Sequence, residues 1–176
     1  MEENTKHIAM IVHDYFEQAE MEDVRILLQQ AGFAVDLIAP DKDEVHGLHH
    51  VELGDTFDVD KQLSDVEPED YDAVVLPGGT INADQLRVVP DALNFVESMY
   101  NSGKTVAAIC HAPWVLISLD IVEGKTLTSY PTLKDDMQNA GAIWIDQDVA
   151  SDGGIITSRN PDDIPAFAEA IGASLQ

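Results

Sequence analysis

The chain has 176 residues, 45% of them apolar, enough to close one ordinary hydrophobic core. Nine basic against 33 acidic residues leave a net charge of −24, which excludes the basic stripe a nucleic acid requires and argues equally against an anionic membrane surface. The carboxylates read as a solvating surface of the kind that suits a salt-rich interior. The single cysteine forms no internal disulfide, and the acidic stretch MEENTKH does not resemble the basic start of a signal peptide. The expected setting is cytoplasmic and reducing.

Apolar strand-like runs alternate with helical periodicity through most of the chain. Residues 7–12 (HIAMIV) predict a strand, and 20–31 (EMEDVRILLQQA) predict a helix with Val24, Leu27, Leu28 and Ala31 on one face. Gly32 follows as a helix-ending residue, and 33–39 (FAVDLIA) predict a second strand. Residues 40–70 are more acidic and read as a hairpin or irregular excursion. Strands are then expected at 72–76 and 104–109, with a helix over 90–100 opened by Pro90. A helix over 112–119 follows, then a helix at 132–140, strands at 142–145 and 155–157, and a last helix at 161–173. Trp114 and Trp144 read as core or interface residues. This alternation predicts a single α/β domain over residues 1–176, a doubly wound, mostly parallel sheet with helices on both faces. Its functional site should lie at the carboxyl ends of the strands.

One segment carries chemistry. In AAICHAP (residues 107–113) a strand runs into a helix with Cys110 at the joint and alanines two positions to either side. Small flanking residues permit the sharp turn of a nucleophile elbow, although the usual glycines are alanines here. The following helix is expected to favour the thiolate. Pro77-Gly78-Gly79 ends an adjacent strand, where glycine lets backbone N–H groups approach a bound oxygen, so one of them and that of His111 form a candidate oxyanion hole. Glu20 is a candidate proton shuttle, but Glu17, Glu22 and Asp23 lie beside it, and spacing alone does not choose among the four. His46, His49 and His50, with Glu44 and Glu52, fit no closed metal site and read as a polar loop or hairpin.

These segments resemble the PfpI/ThiJ superfamily, in particular the PfpI-type intracellular proteases and general stress proteins. The resemblance rests on FEQAE (16–20), DAVVLPGGTINADQLR (72–87), AAICHAPWVL (107–116) and LTSYPTLKDDMQNAGA (127–142), and covers nearly the whole chain. It implies a flavodoxin-like fold with Cys110 as nucleophile, Glu20 as the buried acid paired with it, His111 as the neighbouring histidine, and Tyr130 near the pocket. In protease-like members an acid from a neighbouring subunit completes a Cys-His-acid triad. The matching residue is Asp84, one position later and one methylene shorter than the glutamate of the type pattern. Glutamine amidotransferases share the elbow but place a His-x-Glu segment near the carboxyl end, and no histidine follows His111 here.

The leading expectation is therefore a cysteine-dependent enzyme acting on reactive carbonyls, such as methylglyoxal or glycated adducts, with Cys110 as nucleophile and Glu20 as acid/base. Gly78, Gly79 and Tyr130 are expected to bind substrate, and neither cofactor nor metal is called for. A PfpI-type cysteine peptidase with an interface Cys110-His111-Asp84 triad is the alternative, and a redox-sensing stress protein or chaperone without turnover is a third. The expected partners are the small-molecule substrate and further copies of the chain, in a homo-oligomer with the site at its interface.

Overall fold

The computed structural model describes residues 4–176; the first three residues of the acidic amino-terminal stretch lie outside them. In chain order the strands are β1 (His7–Ile11), β2 (Phe16–Glu17), β3 (Ala34–Ala39), β4 (Glu44–His49), β5 (Glu52–Asp58), β6 (Lys61–Gln62), β7 (Ala73–Leu76), β8 (Thr105–Ile109), β9 (Thr126–Leu127), β10 (Ile143–Trp144), β11 (Ala150–Asp152) and β12 (Ile155–Ser158). The helices are α1 (Gln18–Gln30), α2 (Thr80–Leu86), α3 (Pro90–Asn101), α4 (Pro113–Ser118), α5 (Lys134–Asn139) and α6 (Ile164–Ser174).

Seven strands form the main sheet in the order β11-β12-β8-β7-β1-β3-β6, and only β11 runs antiparallel to its neighbour. A parallel strand needs apolar side chains on both faces, because helices cover both. β1 shows this: Ala9 and Ile11 enter one core while Ile8 and Met10 enter the other. The first core packs under α3, α4 and α5 through Phe95, Val96, Leu116 and Met137. The second packs under α1 and α6 through Met21, Val24, Phe167 and Ile171.

The chain winds outward from β1 to β3, then returns to β7 and continues the other way through β8 and β12. The reversal leaves a crevice beyond the carboxyl ends of β1, β7 and β8, as doubly wound sheets require. Residues 40–70 form the β4–β5 hairpin, the short β6 and two single turns of 3₁₀ helix. With β2 the hairpin makes a separate three-stranded sheet, in which β2 is parallel to β4. Among the described residues no helix is long and apolar enough to cross a membrane.

Candidate active site

Cys110 directly follows β8 and has φ 64°, a left-handed conformation that a residue with a Cβ seldom adopts. The surroundings fix it there. Its N–H donates to the Ser158 carbonyl (3.0 Å) and its own carbonyl accepts from the Tyr130 N–H (2.8 Å). The elbow is thus bonded to β12 on one side and to the loop after β9 on the other, and the sulfur faces the crevice while Cys110 stays 6% exposed.

Glu20, in the first turn of α1, is completely buried beside it. Neither carboxyl oxygen has a hydrogen bond of good geometry; the Cys110 thiol and the Gly78 N–H face it without closing one. Burial, reinforced by the charge of Glu17, raises its pKa from 4.5 to about 8, so Glu20 carries a proton at neutral pH. Burial, and then the Glu20 carboxylate, push the Cys110 thiol up, against the pull of the Gly79 and His111 N–H groups. This corrects the expectation of a thiol made acidic by the following helix. α4 has only six residues and begins at Pro113, so its dipole is outweighed by desolvation. A proton on Glu20 removes the main repulsion on a thiolate, so the two groups titrate as one pair.

The glycines after β7 let this pair form. A Cβ on Gly78 would lie 2.7 Å from both the Cys110 Cβ and the Ile109 carbonyl oxygen, and would strike the Glu20 carboxyl. Gly79 has φ 97°, and a Cβ there would meet the Glu17 nitrogen at 2.6 Å. Asn82 holds this turn from beneath, donating to the Pro77 and Gly78 carbonyls (2.9 and 3.0 Å) and accepting from the His13 N–H at 2.6 Å.

The His111 Nδ1 lies 3.1 Å from the Cys110 sulfur. Burial lowers the pKa of this imidazole, leaving the neutral ring able to take a proton from the thiol. Its ring stacks on Tyr130 (centroids 4.7 Å apart) and meets Trp114 edge-on at 5.3 Å, so two aromatic neighbours set its orientation. Asp84 lies on the exposed side of α2, and no bond joins it to His111 within the chain.

The cleft encloses ≈ 1010 Å³. The tip of the β4–β5 hairpin forms one wall, with Leu48, His49, His50 and Val51, a role the sequence reading did not give it. The imidazoles of this segment go to separate partners: His46 lies 3.2 Å from Asp14, and His50 3.8 Å from Glu17. Among the described residues no cluster of three or more histidine, cysteine or acidic side chains is suited to a metal. Gln18, also missed, is buried and ties α1 to β5, accepting from the Asp55 N–H and donating to the Asp55 carboxylate, both at 2.8 Å. A glutamine amid helical periodicity gives no sign of such a partner 37 residues away.

The sequence profile of the DJ-1/PfpI family matches residues 6–173. The chain belongs to the DJ-1/PfpI family. A Bacillus subtilis relative named "Putative cysteine protease YraA" is 39% identical over 166 residues, covering 93% of this chain and 94% of that one. "Deglycase PfpI" of Pyrococcus furiosus is 37% identical over 153 residues, covering 84% and 89%. Among solved structures, Drosophila melanogaster DJ-1beta superposes with a TM-score of 0.89 at 30% identity, covering 97% of this chain and 90% of its own. The DJ-1/PfpI fold thus agrees with the doubly wound sheet expected from the sequence.

Proposed function

We propose that this chain is a cysteine-dependent enzyme acting on reactive carbonyls, either converting methylglyoxal to lactate or removing such carbonyls from glycated adducts. The observation that carries the reading is the buried pair: a cysteine on a left-handed turn facing a carboxyl group that holds its proton at neutral pH. Cys110 thiolate attacks the aldehyde carbon, and the carbonyl electrons move to an oxygen faced by the Gly79 and His111 N–H groups. Protonation of that oxygen gives a hemithioacetal. Loss of the proton on the former aldehyde carbon and its return at the neighbouring carbon, with the hydroxyl proton passing to the neighbouring carbonyl oxygen, yield a 2-hydroxy thioester. Water then cleaves the thioester, releasing the 2-hydroxy acid and the free thiol. The sum is addition of one water, with no external oxidant or reductant. A carboxyl group with a pKa of about 8 both gives and takes protons near neutral pH, which is what these steps ask of Glu20.

The name of the Pyrococcus furiosus relative supports the deglycase form, and a cleft of ≈ 1010 Å³ leaves room for an adduct larger than a three-carbon aldehyde. The test is incubation of purified protein with methylglyoxal, without glutathione or added metal, following lactate by chromatography. Multiple turnovers that vanish in Cys110→Ser and Glu20→Gln are expected. No product above the Cys110→Ser background overturns the reading.

A cysteine peptidase is the second reading, favoured by the 3.1 Å Cys110–His111 contact and by the name of the Bacillus subtilis relative. It requires Asp84 of a neighbouring copy to reach His111, and therefore a homo-oligomer with the cleft at its interface. Peptide cleavage that falls with Asp84→Asn, or on dilution to monomer, would favour it.

A further inference from the structure

Glu17 stands where three parts of the cleft meet. Its N–H donates to the Gly78 carbonyl at 3.2 Å, and its nitrogen lies 2.6 Å from where a Cβ on Gly79 would go. Its carboxylate, 14% exposed, accepts the His50 N–H through both oxygens, at 3.3 and 3.2 Å. His50 occupies the two-residue hairpin turn with φ 59°, a conformation for which glycine is the cheaper choice. Its ring Nδ1 sits 3.8 Å from the same carboxylate. The site thus has a histidine where the backbone alone would favour glycine, and a mostly buried carboxylate that it caps. One turn further along α1 is Glu20.

We propose that Glu17 is the positioning residue of this cleft: its main chain pins the Pro-Gly-Gly turn, its carboxylate pins the hairpin wall through His50, and its negative charge stands one helical turn from Glu20. The role in turnover rests on Glu20 being the acid–base group of the proposed reaction. The pinning and the charge coupling are properties of the folded chain and hold without it.

The electrostatics agree with the geometry. After burial, the Glu17 charge is the main cause holding Glu20 protonated. The other groups facing Glu20 are Cys110 and the Gly78 N–H; His111, His49, His50, Tyr15, Tyr130 and Asp162 complete the ionisable lining, which contains no lysine or arginine. Glu17 is therefore a negative charge near Glu20 that, among the described residues lining the cleft, meets the His50 main-chain N–H and the exposed His50 ring.

The test reads Cys110 itself, so it needs no substrate: the rate of iodoacetamide alkylation from pH 5 to 10, followed by intact mass. Glu17→Gln keeps an acceptor for the His50 N–H and removes the charge. With that charge gone Glu20 gives up its proton about one pH unit lower, and its carboxylate then opposes the thiolate, so the rise of the profile should move up in pH and alkylation at pH 8 should slow by about fivefold. His50→Gly keeps the main-chain donor in a conformation glycine prefers, and should move the midpoint slightly the other way. Asp23→Asn, which removes an exposed charge from the same helix, should track the unmodified protein. A Glu17→Gln profile that overlays the unmodified one, or an Asp23→Asn profile that matches Glu17→Gln, overturns the proposal. If the alkylation profile moves as expected while methylglyoxal is not turned over, the coupling stands and the carbonyl chemistry falls.

Discussion

Replacing Glu20 by glutamine should make the pH dependence of stability measurably flatter. In the folded chain Glu20 keeps its proton up to pH about 8, whereas the same group has an ordinary value of 4.5 when solvated. Across that window the folded state binds more protons than the unfolded one, so stability falls as pH rises, and the loss is complete only above about 8. At pH 7 the unfolded state gains about 3 kcal/mol by ionising Glu20, which the buried side chain forgoes. For a chain of 176 residues this corresponds to roughly 6–12 °C in Tm. Glutamine does not ionise, so its burial adds an offset that is constant with pH, and the other carboxylates cancel in the comparison. The assay is urea unfolding of both proteins at pH 5, 6, 7 and 8. The stability difference, Glu20→Gln minus unmodified, should climb by about 1.4 kcal/mol per pH unit in the middle of this range. Parallel pH curves would refute the buried, protonated carboxyl on which the proposed chemistry depends.

Gly78→Ala should lower Tm by about 4–8 °C and abolish carbonyl turnover, because the new methyl meets the Cys110 Cβ and a backbone oxygen at 2.7 Å. Gly32→Ala is the contrast: its φ of 96° strains an alanine but nothing lies within 4 Å, so melting should show a loss of about 1 kcal/mol with turnover intact. Asp163 is 3% exposed and accepts from the Arg159 main chain and guanidinium at 2.9 Å, so Asp163→Ala should cost about 3 kcal/mol in denaturant unfolding. Under the carbonyl reading, Asp84→Asn should leave methylglyoxal turnover within about twofold, since Asp84 is exposed and outside the Cys110–His111 contact.

Strands such as β7 and β8 were legible because they are short, carry runs of apolar residues (AVVL and VAAI) and follow polar residues, and this pattern forces a sheet covered on both faces. The elbow was legible for a related reason, since a cysteine at the joint of a strand and a helix, with alanine two positions to either side, fits the sharp turn. Helix α2 was not foreseen. Its seven residues, TINADQL, make too short a stretch to show a period, and it is held by Asn82 bonding the preceding turn. The contact between the adjacent Cys110 and His111 was not legible either, because it depends on Tyr130, twenty residues after Cys110, stacking on the imidazole. The hairpin's place over the cleft was illegible, since it depends on Gln18 and Glu17 reaching residues more than thirty positions away.

The sheet also partitions the effects of mutation. Cys110 belongs to the core under α1 and α6, while the layer under α3, α4 and α5 has its own closed set of apolar contacts. Substitutions deep in the layer under α3, α4 and α5, at Phe95 or Met99 for example, are separated from the reactive thiol by the sheet. Changes at such positions should move the melting temperature while the chemistry at the strand ends goes unchanged. Helix α1 has no such freedom. Its apolar face fills one core and its first turn carries the proton, so most changes there are felt in both stability and reactivity at once.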